Sequence, residues 1–213
     1  ASYTTPDGED APDIEKVDTS FVTSKLYSGG LNNLTDFNAT LVNNTVVLEK
    51  NDGSDFSIST KDGADGRDLF VVKNSVKEVT DLPLYAPEGY VVEVVGTGKS
   101  SDDNYWLRAE SNSGSTVRWV ESTGPSQSVG FDKETMPHVL VRDRIESGRG
   151  VFKLQQGPWD DRDSGDDTSN PFPSFIEDSV PITSIGTFQN RLYLTAGEAV
   201  VYSRSNFFFQ FFK

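Results

Sequence analysis

The sequence predicts a mainly β fold, a succession of hairpins with one short helix that ends in what reads as one blade of a larger repeated sheet. Three observations lead there. From Phe37 onward, short runs rich in Val, Leu, Phe and Tyr alternate with Asn, Asp and Gly turn signals. A single stretch carries an apolar stripe at helical spacing. Near the end, three strand-like runs are separated by only two or three turn residues.

At the start, Pro6, Asp7 and Gly8 supply the fixed φ, side-chain acceptor and free φ of a hairpin turn. Asp18 or Thr19 can cap a helix whose Phe21, Val22, Lys25 and Leu26 share a face and which Gly29-Gly30 ends. Strands are expected at 37–42, 45–50 and 56–60, broken by Asn43-Asn44, Asn51-Asp52-Gly53 and Lys61-Asp62-Gly63. Runs at 69–72, 91–95, 105–109 and 117–120 continue the meander, with Pro83 and Pro87 interrupting it. Another strand, 139–141, follows His138, and 185–188, 192–195 and 199–202 make the closing blade. The expected organisation is a hairpin remnant plus helix over 1–35, a β-rich domain over 36–180, and the truncated start of the blade over 181–213.

Composition excludes several function classes. Without cysteine there are no disulfides, thiolate metal sites or cysteine nucleophiles, which fits a protein made in a reducing cytoplasm. His138 stands alone, so sites needing two or three histidines are excluded, and its one possible catalytic role, base to a serine, lacks a Gly-x-Ser-x-Gly elbow. No catalytic residue, metal or cofactor is expected. No apolar run nears the roughly 18 residues of a membrane-spanning helix, so membrane insertion is not expected. Thirty-three acidic against nineteen basic residues give a formal charge of −14, which opposes phosphate-neutralising DNA binding. Such a surface suits a passage through which DNA slides without sticking. Five phenylalanines in the six positions 207–212 read as a piece of a longer polypeptide, or an end covered by a second chain.

Residues 160–167 place five aspartates in eight positions, followed by Asn170-Pro171-Phe172-Pro173. Three readings stand. Asp161, Asp163, Asp166 and Asp167 could present oxygens to a cation, although the EF-hand pattern is absent. Two of Asp160, Asp161, Asp163, Asp166 and Asp167 could serve as the acid and base of a glycosidase. Otherwise the stretch is a solvated acidic turn held by Arg162 and anchored by Trp159, Phe172 and Phe175. Similarly, Tyr85, Tyr90, Tyr105, Trp106 and Trp119 could stack on sugars or form core and cross-strand pairs.

The blocks Thr135-Met-Pro-His-Val-Leu-Val-Arg142, Trp159-Asp-Asp-Arg162 and Gly165-Asp-Asp-Thr-Ser-Asn-Pro-Phe-Pro-Ser-Phe175 resemble tail tubular protein B, the tail nozzle family of short-tailed bacteriophages. The resemblance runs on through Phe188-Gln-Asn-Arg-Leu192, Gly197-Glu-Ala-Val-Val-Tyr-Ser-Arg204 and the aromatic close at Phe208 to Phe212. It covers residues 82–213 well and Tyr3-Thr-Thr-Pro-Asp-Gly8 with Val17-Asp18 more loosely, and residues 36–80 carry no motif that supports it. Ser169 departs from the family's uninterrupted Asp-Thr-Asn-Pro. The motif residues are Met136, Pro137, His138, Arg142, Trp159, Arg162, Asn170, Pro171, Pro173, Ser174, Phe175, Asn190, Arg191, Ser203 and Arg204, all with structural roles. The resemblance implies a virion structural protein of a phage tail, made in the host bacterial cytoplasm, with a β-propeller-like body. It further implies a six-fold ring of copies below a tail adaptor protein, contact with tail fibres, and DNA passing through without sequence-specific binding. The alternative is a tail protein that degrades or binds capsule polysaccharide.

Overall fold

Asn43 adopts φ 53°, a left-handed conformation that asparagine tolerates better than most residues, and the chain reverses there. The strands on either side, β1 (Phe37–Val42) and β2 (Thr45–Lys50), pair antiparallel from Phe37↔Lys50 to Val42↔Thr45. This is the hairpin expected from the Asn-Asn turn. The structure, a computed structural model, describes residues 1–5, 15–63, 66, 68–96, 104–177 and 179–212. The expected turn at Pro6-Asp7-Gly8 lies outside the described residues.

The chain divides into two compact units, Ala1–Val120 and Glu121–Lys213. In the first, helix α1 (Thr19–Ser28) is capped by Asp18, whose carboxylate accepts the Ser20 N–H at 2.8 Å, and ends at Gly29, as expected. A four-stranded sheet follows in the order β3 (Ser75–Val76), β4 (Val91–Val94), β5 (Tyr105–Ser111), β6 (Val117–Ser122). Its β4, β5 and β6 coincide with three expected strands, while the two-residue β3, parallel to β4, was not expected. The core of this unit is Val76, Val92, Val94 and Leu107, with Tyr90 and Trp119 packed against it.

Two expected strands, 56–60 and 69–72, do not form. Side chains satisfy these segments instead of a ladder. Lys73 pairs with Asp55 at 2.6 Å, donates to the Phe56 carbonyl and lies over the Phe56 ring, which packs edge-on against Phe37. The Asp62 carboxylate accepts the N–H groups of Gly66, Asp68 and Leu69 at 2.6, 2.8 and 2.9 Å, folding the chain into a loop where a strand would need those donors.

The second unit holds a long hairpin and a three-stranded sheet. In the hairpin, β7 (His138–Glu146) and β8 (Arg149–Gln156) extend well past the expected 139–141, with a bulge at Asp143. Ser147 and Gly148 close it at φ 49° and 78°, the paired positive values of the tight turn that matches strand twist. The sheet runs β9 (Ile182–Phe188), β10 (Arg191–Ala196), β11 (Ala199–Tyr202), a few residues longer than expected at its first two strands. A single-turn helix α2 (Ser174–Glu177) precedes it, beyond the one helix anticipated.

One aromatic core serves this whole unit. Phe131, Met136, Trp159 and Phe175 pack with Leu194, Ala196, Phe211 and Phe212. This core draws on residues from both sides of position 180, and Val180 and Ile182 pack against it. Phe211 and Phe212, expected to need cover from more chain, are buried by their own unit: Phe212 stacks on Phe131 at 5.1 Å and meets Phe172 edge-on at 5.3 Å.

Leu194 is fully buried at the centre of this core. Leu194→Ala is expected to destabilise the second unit by roughly 2–5 kcal/mol. Urea unfolding followed by tryptophan fluorescence measures it through Trp159; an unchanged midpoint would contradict the core as described.

Candidate functional site

Seven of the motif residues, Trp159, Arg162, Asn170, Pro171, Pro173, Ser174 and Phe175, lie in the loop at 157–175. Trp159, only 2 % exposed, fixes its start: the indole N–H donates to the Pro137 carbonyl at 3.2 Å, and the ring meets Phe209 edge-on and Phe211 at a tilt. Gly157 lies so close to that indole that an added Cβ would sit 2.6 Å from Nε1, which is why no side chain fits there.

Arg162 comes next, its side chain wholly out of solvent. One guanidinium nitrogen donates to Asp167 at 2.8 Å and to the Asn170 carbonyl at 3.0 Å, and the other to the Ser128 carbonyl at 2.6 Å. The guanidinium lies 4.9 Å from the Phe172 ring centroid. Its Nε is buried without a partner among the described residues. A planar fork of donors suits this arrangement, in which acceptors from three parts of the chain meet one cation.

Around that cation the acidic loop is tied down by its own side chains. Asp166 accepts the Thr168 and Ser169 N–H groups at 2.9 and 2.8 Å and the Ser169 hydroxyl at 2.9 Å. Ser169, the departure from the family pattern, is thus part of the turn. The Ser169 amide, then its hydroxyl and the Thr168 amide, hold the Asp166 carboxyl below the usual aspartate range. Buried Asn170 donates to the Ser164 carbonyl at 2.9 Å. Pro171, Phe172 and Pro173 then lead into α2, where Ser174 opens the helical turn and Phe175 enters the core. Among the described residues no three His, Asp or Glu side chains are grouped to hold a metal ion.

The remaining motif residues fall in three places. Met136 is core, and its carbonyl lies 3.1 Å from Nδ1 of His138, at the first residue of β7. Arg142 is exposed on the hairpin, away from the loop. Asn190 shapes the β9–β10 turn, with φ 58° beside Gln189 at 47°. Arg191 donates to the Ser203 carbonyl at 3.2 Å, and the fully buried Ser203 hydroxyl accepts the Leu192 N–H at 2.9 Å. The Arg204 guanidinium lies over the Phe207 ring at 5.1 Å. Among the aromatics considered for sugar stacking, Trp119 donates to the Pro83 carbonyl, Tyr90 to that of Lys73, and the Tyr85 hydroxyl accepts from Asn43. These bonds fix them as parts of the first unit's framework.

Residues 1–213 match the family described as bacteriophage nozzle protein. The chain belongs to the bacteriophage nozzle protein family. The resemblance seen in the sequence is borne out, and the match includes residues 36–80, where no motif was recognised. The nozzle chain is also 30 % identical over its full 213 residues to tail tubular protein gp12 of Escherichia phage T7. It spans 26 % of the length of that relative. No helix among the described residues of this nozzle chain is long and apolar enough to cross a membrane.

Sequence reasoning named Arg162 but missed its acceptor at Ser128 and the Val129 carbonyl that takes its own N–H. Backbone carbonyls leave no mark in composition. It also missed the apolar face of the hairpin, described below.

Arg162→Ala should destabilise the second unit on the order of 3 kcal/mol, by leaving buried carbonyls unpaired and a cavity under Phe172. Asp167→Asn, at a carboxylate 72 % exposed, should cost less than about 1 kcal/mol. Paired denaturation curves compare them; equal losses would mean that the ion pair, not the buried fork, holds the loop. Asp166 adds a pH dependence. Because its carboxyl is held low in the folded chain, the stability it contributes is fully present above the unfolded value of about 3.9 and is lost as pH falls through the lower folded value. Asp166→Asn should flatten the stability profile on that acid side, measured by thermal melts between pH 2 and 5 (roughly the carboxylate range).

Proposed function

We propose that the chain is a structural, non-catalytic part of a phage tail nozzle that works through contacts between subunits and lines a passage for DNA. The observation that carries this reading is how the acidic loop uses its side chains. Asp166 and Asp167 bond the loop to itself and to Arg162, and large apolar side chains elsewhere in the unit face solvent, among them Leu140, Ile145, Phe152, Leu154, Ile185 and Phe188. Exposed apolar surface on a rigid, cysteine-free scaffold suits assembly. Membership of the nozzle family and the likeness to a tail tubular protein favour the same reading.

In this reading the protein is made in the host bacterial cytoplasm and ends in the tail of the virion. Copies join in a six-fold ring, seated below a tail adaptor protein and in contact with tail fibres. Residues 181–213, with their three-stranded antiparallel sheet, begin a propeller-like blade. A formal charge of −14 on each copy gives a ring whose field repels phosphate, so DNA passes without the counterion release that would hold it.

Native mass spectrometry with negative-stain imaging, carried out beside the tail adaptor, tests this. A six-fold ring that docks on the adaptor is the expected outcome, together with no retention of duplex DNA at physiological salt. A chain that stays monomeric and ignores the adaptor, or that binds DNA with a steep salt dependence, would overturn it.

A further inference from the structure

The β7–β8 hairpin has a solvent-facing side with the composition of a core. The register pairs Leu140 with Leu154 and Arg142 with Phe152; past the bulge at Asp143, Ile145 returns to the same face opposite Gly150. Leu140, Ile145, Phe152 and Leu154 are 65, 66, 56 and 65 % exposed. A two-stranded hairpin has little stability of its own in water and ordinarily needs a third element on its apolar face. At about 3.4 Å per residue the arm is roughly 27 Å long, and none of the residues of its two strands is buried.

Its charge is opposite to that of the chain. Arg142, Arg144, Arg149 and Lys153 against Asp143 and Glu146 leave residues 138–156 at +2, so the rest of the chain carries −16 of the total −14. Arg144 takes both acidic residues, Asp143 at 2.8 Å and Glu146 at 3.1 Å. Arg142, Arg149 and Lys153 have no ion-pair partner among the described residues.

The same unit presents the complement. An apolar groove of about 250 Å³ is lined by Trp159, Ile185, Leu192, Phe208 and Phe209 at the foot of the hairpin. Beside it runs the acidic loop, whose Asp160, Asp161 and Asp163 are exposed next to Trp159. The hairpin is net positive and carries Arg142 on its apolar face, which matches an apolar groove with exposed carboxylates next in sequence to Trp159.

We propose that the β7–β8 arm of one copy docks, apolar face first, into the groove and against the acidic loop of a second copy of this chain. The contact is heterologous: each copy offers one arm and one groove, so successive copies join head to tail. This inference rests on the reading of the chain as an assembly module and names the surfaces that do the assembling. It assigns Arg142, on the apolar face, to the interface.

Complementation tests it. An arm variant, Phe152→Asp with Leu154→Asp, and a groove variant, Ile185→Asp with Phe208→Asp, are prepared in the full chain and compared with wild type by analytical ultracentrifugation. Thermal melts first establish that each folds as wild type does. Each alone should self-associate about tenfold or more weakly than wild type. Mixed, they should form a one-to-one pair that grows no further, because the pair retains one usable arm–groove contact. In a second experiment, Arg142→Glu should weaken wild-type association and be rescued in part by Asp160→Arg with Asp163→Arg on the other copy. Oligomers that survive both the arm and groove variants would overturn the arm–groove contact while leaving the assembly reading intact. A wild-type chain that remains monomeric throughout would overturn both.

Discussion

The second unit depends on a single buried cation. Arg162 is held by an exposed carboxylate, two backbone carbonyls and an aromatic face, one carbonyl from distant Ser128 and the rest from the segment Asp167 to Phe172. A guanidinium costs several kcal/mol to take out of water, and only a full set of acceptors offsets that cost. Here the acceptors are carbonyls of Ser128 and Asn170, which would themselves be left unsatisfied if the loop moved. Cation and carbonyls therefore stabilise one another, and the segments before and after the acidic loop are fixed in the process. With Arg162 in place, Phe172 lies over it and the run Asn170-Pro171-Phe172-Pro173 is aimed into α2 and the core. Trp159 does the same at the loop's other end through Pro137. Of the aspartates between these anchors, Asp166 and Asp167 close local contacts and Asp160, Asp161 and Asp163 are exposed to solvent.

How much of this was legible in the sequence depended on whether the signal was local. Asp18 before the helix, Asn43-Asn44 between β1 and β2, and Gly197-Glu198 between β10 and β11 each act within a few residues, and each led to the right element. The loop was legible in outline for the same reason, since Arg162, Trp159 and the prolines lie close in sequence. What failed was non-local. Residues 56–60 and 69–72 have strand composition, but Lys73 and Asp62 offer their backbone other partners, and no count of β-formers reveals that. Ser128 lies 34 residues from the guanidinium it accepts, with nothing in its side chain to advertise the role.

The hairpin was underread for a subtler reason. Period-two alternation should show Leu140, Arg142 and then position 144 on one face, but the bulge at Asp143 inserts a residue and moves Ile145 there instead. The apolar stripe is continuous in space and broken in sequence. The cost of missing it is large, because the stripe is the part of the unit that its own core does not use.

Apolar surface and charge are thus partitioned with some consistency. Phe211 and Phe212 fold back to complete the core, while Phe207 and Phe208 stay exposed. Leu140, Ile145, Phe152 and Leu154 likewise stay outside the core, on a hairpin whose net charge is positive. A net charge of −14 alone would keep copies of this chain apart. Association of like-charged copies requires either that the acidic surface be turned away from the contact or that the contact carry its own counter-charge. The hairpin has the properties the second route needs: a net positive charge, and Arg142 within its apolar face.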